Sequence, residues 1–251
     1  YYTRAGQFEF DNDGVLVAHG TDARVAGIDA SGNLIDITIA GLRTNPAVPT
    51  SEITFKNNLS TGSANHEITD IEIINNIGET HTFTMTFTNN DSVTPRSWLI
   101  DIIDENNAEV ATDQEIRFSG DGTPETDFNS FTVSYAPDGA TPMDITFHFG
   151  EPGSFSDTTS YSGGITSTVA VDTVDGITPG VLLSSNFDSD GTLKIQYTNG
   201  EEASGGRFAL AWFEDLQAMK QIGESLFLAP ASADVIFSAA GEGVMLSLIH
   251  I

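Results

Sequence analysis

The segment Thr80–Thr88, with the sequence Thr-His-Thr-Phe-Thr-Met-Thr-Phe-Thr, alternates strictly between threonine and larger side chains. The side chains of His81, Phe83, Met85 and Phe87 fall on one face of an extended chain, and the threonines fall on the other. This period of two residues is typical of an antiparallel strand with one face in a core and one face in water. We therefore predict a half-buried antiparallel strand from Thr80 to Thr88.

The same alternation recurs along the chain, and turn dipeptides such as Asp190-Gly191 and Asn199-Gly200 separate the alternating runs. Helical spacing is confined to Leu216, Met219 and Ile222. The pattern predicts an all-β protein of the sandwich or barrel type. The further predicted strands are Ala23–Ile28, Leu34–Ile39, Glu67–Ile74, Ser97–Ile103, Phe131–Tyr135, Met143–Phe149, Val181–Phe187, Leu193–Tyr197 and Phe208–Phe213.

Two breaks in the pattern predict domain boundaries. Thr44–Thr50 contains two prolines, and Gly150–Gly164 is rich in glycine, serine and threonine. The chain before the first break is too short to enclose a core of its own. We therefore predict a discontinuous outer β domain formed by residues 1–50 and 161–240, with a second β domain, residues 51–160, inserted into it.

The charge of the chain excludes several classes of partner. Its 251 residues include 36 acids and 9 bases, which gives a formal net charge of −27. Nucleic acid and anionic membrane surfaces would be repelled, so neither is expected as a partner. No run approaches the roughly 20 apolar residues of a membrane span, so membrane insertion is not expected. The charge itself fits either solubility in a saline habitat or a cationic partner.

Two acidic segments, Glu9–Gly14 and Asn186–Gly191, match the first half of a calcium-binding loop. Such a loop needs a bidentate glutamate at its twelfth position, where this chain has Gly20 and Tyr197. Both segments also lie between strands, where Asp-Gly alone accounts for a hairpin turn. We predict turns at both places and no metal site.

The remaining polar residues also lack the spacing of catalytic or cofactor sites. There is no cysteine, and the five histidines are scattered, so no local zinc motif exists, although the fold could assemble one. No nucleophile elbow or phosphate loop is found. The acid-rich segment Asp101–Asp127 is predicted to be a solvated face, or alternatively a cation-dependent contact between subunits. We predict no catalytic residue, no cofactor and no metal ligand.

The opening run from Tyr2 to Val17 indicates two strands joined by a tight acidic turn. It also resembles a signature of the bacterial flagellar rod and hook proteins, in which aromatic-Thr-Arg-x-Gly-x-Phe leads into Asp-x-x-Gly-x-Leu-Val. Other segments resemble this family in the same order, over about residues 1–230. These segments are Gly20–Gly27, Asn75–Met85, Ala140–Phe147, Asp188–Glu201 and Phe208–Phe227.

The resemblance implies that the matching residues shape the fold and carry no chemistry. The glycines among them would supply turns, and Arg4 is expected to pair with an acid inside the outer domain. The inserted domain is similar to that of the hook subunit and favours it over the shorter rod proteins. The residues that carry the resemblance are Tyr2, Thr3, Arg4, Gly6, Phe8, Asp11, Gly14, Leu16, Val17, Gly27, Gly191, Tyr197, Asn199, Gly200, Ala209, Leu210, Ala211, Gly223, Leu226 and Phe227.

What the resemblance implies about function is a structural subunit of the flagellar hook. Copies of it would assemble helically into a hollow, flexible joint that transmits motor torque to the filament. The expected partners are further copies of itself and, by resemblance, rod, hook-cap, hook–filament junction and flagellar export proteins. The expected location is the extracellular flagellum, reached through the flagellar secretion apparatus.

Three alternatives remain open at the level of sequence. One is a related rod or hook-associated axial protein. The second is a surface adhesin or carbohydrate-binding β-module, which predicts exposed aromatic residues clustered at loop tips. The third is an enzyme such as a glycoside hydrolase, which needs two carboxylates that face each other across a cleft.

The ends of the chain differ from the family. The resemblance implies a fragment that lacks the helices expected at both termini. The segment 241–251 looks non-native, because Ser247-Leu248-Ile249-His250-Ile251 resembles the translation of a sequencing adapter. The alternative for this segment is a natural β-strand.

Overall fold

The computed structural model describes residues 1–137, 141–223 and 225–240. The tail 241–251, with its predicted adapter-like end, lies outside the described residues. Strands dominate, and short 3₁₀ turns cover Ala40–Leu42 and Leu216–Ala218. The predicted all-β fold is therefore confirmed, although the helical spacing around Leu216 produces only a single turn.

The strands in chain order are β1 (Tyr2–Thr3), β2 (Phe8–Phe10), β3 (Leu16–Ala18), β4 (Ala26–Ile28), β5 (Leu34–Asp36), β6 (Thr44–Asn45), β7 (Glu52–Asn58), β8 (Asn65–Ile74), β9 (Thr80–Asn89), β10 (Ser97–Asp104), β11 (Glu109–Arg117), β12 (Ser130–Tyr135), β13 (Met143–His148), β14 (Thr158–Thr159), β15 (Ala170–Val174), β16 (Gly180–Phe187), β17 (Thr192–Tyr197), β18 (Glu202–Phe213), β19 (Lys220–Gly223), β20 (Leu226–Leu228) and β21 (Val235–Ala239).

The chain divides into two compact units. Unit 1 comprises Tyr1–Asn45 together with the chain from Gly180 onward, and unit 2 comprises Pro46–Pro179. The boundary expected after residue 160 differs from this division. Strand β15 pairs with β7 of unit 2, where Ala170 lies opposite Lys56 and Val174 lies opposite Ile53. The Gly/Ser/Thr-rich segment before β15 is therefore a loop of unit 2 and not a linker between domains.

Unit 2 encloses its core between two sheets. One sheet has the strand order β11-β10-β9-β8, and the other has the order β12-β13-β7-β14, with β15 also paired to β7. Strand β9 pairs antiparallel with β8 and β10, as its alternation predicts. Its side chains Phe83, Met85 and Phe87 are fully buried. From the facing sheet, Phe55 contacts Phe87 edge-on at 6.5 Å between ring centroids and stacks on Phe149 at 4.6 Å.

The two edge strands of the four-stranded sheet are each interrupted by a bulge. Strand β8 shifts register between Ile68 and Ile71, and β11 shifts between Gln114 and Ala111. Asp70 and Asp113 occupy these bulges with positive φ angles of 56° and 51°. Aspartate tolerates this left-handed conformation better than most residues. A bulge with an inserted charge prevents another strand from pairing with an exposed edge.

Unit 1 has a long sheet with the order β5-β4-β18-β17-β16-β6, and β21 pairs with the outer half of β18. Its core includes Leu16, Ile37, Leu193, Ile195 and Tyr197. Gly27 of β4 lies under this packing, because a Cβ there would come within 2.8 Å of an Ile37 carbon and 2.9 Å of the Arg207 carbonyl oxygen. This crowding explains why the position requires glycine.

We expect Phe55→Ala to lower the free energy of unfolding of unit 2 by about 3–5 kcal/mol, because it leaves a cavity beneath Phe87 and Phe149. Val93→Ala is the control, since Val93 is 79% exposed. The measurement is urea unfolding followed by Trp98 fluorescence in a Trp212→Phe background, which leaves the buried Trp98 as the sole tryptophan. Equal unfolding curves for the two variants would contradict the assigned core.

Candidate functional site

A single type of turn closes many of the hairpins. In it, one side-chain oxygen of Asp or Asn accepts hydrogen bonds from the backbone N–H groups two and four residues further on. Asp29 accepts them from Ser31 and Asn33, both at 2.8 Å. Asp104 and Asp188 form the same pair of bonds, and Asn75 does so with its amide oxygen.

Two of the turns lie in the segments that match the first half of a calcium-binding loop. Their carboxylates accept hydrogen bonds from backbone N–H groups. Asp188 accepts bonds from the N–H groups of Asp190 at 3.0 Å and Thr192 at 2.9 Å, and Gly191 takes a φ of 70°. Asp11 accepts from Val15 N–H at 2.8 Å, and Gly14 takes a φ of 82°. Glycine suits the position because it adopts a positive φ without steric cost. Both segments are therefore hairpin turns in the structure.

The turns also perturb the acidity of their carboxyl groups. Hydrogen bonds to the charged form favour it. The pKa of Asp29 is lowered, first by the Asn33 backbone N–H and then by the Asn33 side chain. The pKa of Asp188 is lowered chiefly by the Thr192 N–H. In the acid-rich segment Asp101–Asp127, bonds from the backbone and hydroxyl of Thr123 lower the pKa of Asp121. Some of the carboxylates in that segment therefore stabilise turns, so the segment is more than a solvated face.

The opening hairpin of unit 1 consists of β2 and β3, with Phe8 opposite Ala18 and Phe10 opposite Leu16. Leu16 and Val17 are buried, whereas Phe8 packs against Phe208 of β18 at 5.5 Å between ring centroids. The hairpin thus packs Phe8, one of the first residues that resemble the family, against β18, which carries the later ones Ala209–Ala211.

The first strand joins a small three-stranded sheet with the order β1-β20-β19. Tyr2 lies opposite Phe227 and Thr3 lies opposite Leu226. The Tyr2 ring also contacts Phe213 edge-on at 4.7 Å. The prediction that Arg4 pairs with an acid is wrong, because Arg4 forms no ion pair among the described residues. Its guanidinium instead lies 5.6 Å from the Phe227 ring centroid. A planar guanidinium stacks favourably on an aromatic face, which explains the contact.

The other signature residues also serve the geometry of unit 1. Gly200 and Gly223 have φ angles of 86° and 127°. Tyr197 is buried, and the Asn199 side chain accepts a bond from Glu201 N–H at 3.1 Å. Ala209–Ala211 pairs with β21. A Cβ added at Gly6 would meet no described atom within 4 Å, so no close packing accounts for that glycine.

A buried polar network in unit 2 was not anticipated from the sequence. His81 donates from Nδ1 to Glu105 at 2.7 Å and accepts at Nε2 from the Asn75 amide at 3.1 Å. The amide orientation follows from its oxygen, which accepts the N–H groups of Ile77 and Glu79. Because the amide nitrogen can only donate, Nε2 is the acceptor in this bond, and Nδ1 is left to donate to Glu105. Burial raises the pKa of Glu105, but the bonds from His81 and the Thr82 N–H outweigh it, so the pKa is lowered.

Neither a metal-binding group of side chains nor a membrane-spanning helix is found among the described residues. Within residues 1–137, 141–223 and 225–240, no group of three or more His, Asp or Glu side chains is placed to hold a metal ion. No helix in that part of the chain has the length and apolarity that crossing a bilayer requires. Unit 2 also has an exposed groove beside Phe155 and Tyr161, which the sequence signals by no more than two aromatic residues in a Gly/Ser/Thr-rich loop.

Comparisons with known proteins agree with the resemblance seen in the sequence. No protein-family model matches the chain. It is 24% identical, over 306 aligned positions that cover 98% of the chain, to the flagellar hook protein FlgE of Treponema pallidum (strain Nichols), and it spans 65% of that protein's length. The flagellar hook protein FlgE2 of Helicobacter pylori has a crystal structure that superposes on this chain with a TM-score of 0.58. The two sequences are 13% identical. That match covers 90% of this chain and 84% of the other, so the two share a fold.

We expect part of the acid sensitivity of unit 1 to come from Asp188. Its pKa is lowered in the folded state from the ordinary 3.8, so its stabilisation is complete above that value and is lost as pH falls through the folded pKa. Asp188→Asn keeps an oxygen acceptor, as Asn75 shows, but cannot be protonated. The melting temperature of the variant should therefore fall less than that of the parent when the pH is lowered from about 4 to 2.

The matched control for this experiment is Asp13→Asn, in the turn of the opening hairpin. The Asp13 carboxylate accepts no hydrogen bond from another described residue. Its replacement should therefore leave the fall of melting temperature with pH the same as in the parent. Identical acid limbs for Asp188→Asn and the parent would contradict the assigned role of Asp188.

We expect Arg4 and Phe227 to be coupled by about 0.5–1 kcal/mol, because the guanidinium lies on a partly exposed aromatic face. The measurement is a double-mutant cycle of Arg4→Ala and Phe227→Leu, with free energies from urea denaturation. Additive effects of the two substitutions would show that the ring contact does not stabilise unit 1.

Proposed function

We propose that this chain is a segment of a structural subunit of a bacterial flagellar hook, and that it is not an enzyme. The observation that carries the proposal is the similarity to a flagellar hook protein over 98% of the chain. The fold shared with a second hook protein supports it. The residues that resemble the family support it further, because they lie in turns, buried positions and strand pairs of unit 1.

The proposed activity is mechanical. Copies of the subunit assemble head to tail into a helical tube, since a contact between two different faces that does not close gives an open filament. The tube forms a hollow, flexible joint that transmits motor torque to the filament. Strand faces rich in Thr, Ser and Asn suit neighbours that slide during each rotation, because polar, hydrated contacts lack deep interlocking side chains.

The proposed partners are other copies of the chain and, at the ends of the tube, rod, hook-cap and hook–filament junction proteins. The proposed location is the extracellular hook, and the proposed route is the flagellar secretion apparatus. The bulged sheet edges of unit 2 do not serve this assembly, because Asp70 and Asp113 oppose strand addition.

Deletion of the gene in its own bacterium tests the proposal. Cells without it should assemble no hook and should not swim, and the complete reading frame supplied from a plasmid should restore both. Antibody raised against unit 2 should label the short segment between cell body and filament in electron micrographs. Swimming cells with intact hooks after the deletion would overturn the proposal, and label on the rod would favour the related rod protein.

We expect the full-length protein to polymerise faster and at lower concentration as salt increases. Neighbouring subunits that each carry a charge of −27 repel one another over long range. The Debye length falls from about 30 Å at 0.01 M salt to about 8 Å at 0.15 M, which screens this repulsion. Turbidity and electron microscopy measure the outcome, and polymer that is unchanged or reduced at higher salt would contradict the expectation.

A further inference from the structure

Unit 2 carries an open groove of about 330 Å³ between strand β7 and the loop that follows β13. This volume lies at the lower end of the range for small-molecule sites, about 300–1,000 Å³. We call it the aromatic groove, because Phe155 and Tyr161 both line it and are 64% and 53% exposed. The polar side chains that matter to its chemistry are those of Lys56, Asn57, Ser156 and Asp157.

The end of the loop at Ser160 and Tyr161 is firmly held. The Asn58 side chain donates to the Tyr161 carbonyl at 3.1 Å and accepts from the Tyr161 N–H at 3.0 Å. Ser160 donates its N–H to the Gly122 carbonyl at 2.8 Å and its hydroxyl to the Leu59 carbonyl at 2.9 Å. A Cβ at Gly122 would lie only 2.7 Å from the Ser160 carbonyl oxygen, so close backbone packing fixes the loop as well.

The backbone at Tyr161 is therefore fixed, while the side chains of Phe155 and Tyr161 both project into water. Isolated exposed apolar residues are common on protein surfaces. Two aromatic side chains on one groove with an ordered backbone are a different case, because a ligand that binds there meets a surface that needs little ordering.

The polar groups of the groove are available for hydrogen bonding. In the part of the chain that the structure describes, the side chains of Asn57, Ser156 and Asp157 make no hydrogen bond to another residue. Together they offer amide, hydroxyl and carboxylate groups, which include both donors and acceptors. A purely apolar ligand would leave these groups desolvated without partners, which is unfavourable.

The charges of the groove disfavour an anionic ligand. The Lys56 ammonium lies 2.6 Å from an Asp172 carboxylate oxygen, so its charge is locally balanced, and Asp157 adds a negative charge. Anionic ligands are repelled by Asp157 and by the overall charge of −27. A neutral polar ligand meets no such repulsion and can hydrogen-bond to the side chains of the groove.

We propose that the aromatic groove is a binding site for a neutral carbohydrate. The C–H groups of a sugar ring carry small positive partial charges and pack on the negative faces of Phe155 and Tyr161. The hydroxyl groups of the same ring both donate and accept, which matches Asn57, Ser156 and Asp157. None of the groove residues belongs to the segments that resemble hook proteins, and the site does not depend on the proposed role in the hook.

Saturation-transfer NMR with the purified chain tests the site. The probes are glucose, galactose, mannose and N-acetylglucosamine, each added alone, with N-acetylarginine amide as a cationic probe. We expect at least one sugar to receive saturation and no signal on the cationic probe. Absence of transfer to all four sugars, or transfer to the arginine derivative alone, would overturn the proposal.

Substitutions then locate the binding sugar. Phe155→Ala and Tyr161→Ala should each weaken binding about tenfold, because each removes one stacking face. Ile165→Ala is the matched control, since Ile165 is 85% exposed in the same loop but does not line the groove. All three substitute exposed side chains, so the melting temperature should stay constant. Binding that survives both aromatic substitutions would place the sugar elsewhere and overturn the assignment.

Discussion

The fold depends on a single recurring interaction, the acceptance of two backbone N–H groups by one Asp or Asn side-chain oxygen. Asp29, Asn75, Asp104 and Asp188 each close a hairpin in this way. A fold made of short antiparallel strands reverses direction often, and every reversal leaves backbone groups that need partners. The bonds fix the length of each turn and with it the register of the strands on either side. Some of the chain's many acids therefore form part of its architecture.

Aspartate side chains also shape the sheet edges of unit 2. Strand β9 has paired neighbours on both sides, so its alternation can be regular, whereas β8 and β11 lie at the edges and carry bulges at Asp70 and Asp113. For a protein proposed to work as a polymer, blocked edges matter, because pairing by open strands would compete with ordered assembly. The contacts between copies would then fall to side-chain surfaces, where polar groups and water permit movement.

The proposed structural role fits the close packing of the signature positions in unit 1. Phe8 against Phe208, Tyr2 against Phe213 and Arg4 against Phe227 join the start of unit 1 to its later strands. These contacts hold together two parts of the chain that are separated by the whole of unit 2. In unit 2, the rings of the aromatic groove face outward and contribute nothing to the core.

The sequence by itself determined the fold class, the position of β9 and the turns at Asp11 and Asp188, because these follow from side-chain period and from local hydrogen bonds. It missed β7, because only Ile53 and Phe55 are apolar there and the strand ends in the polar residues Lys56–Asn58. Only the tertiary structure assigned β15 to unit 2, placed Arg4 on Phe227, joined His81 to Glu105 and Asn75, and brought Asn57 beside Phe155 and Tyr161. These contacts join residues far apart in the chain or depend on which edge of a sheet remains open, and no local pattern of residues specifies that choice.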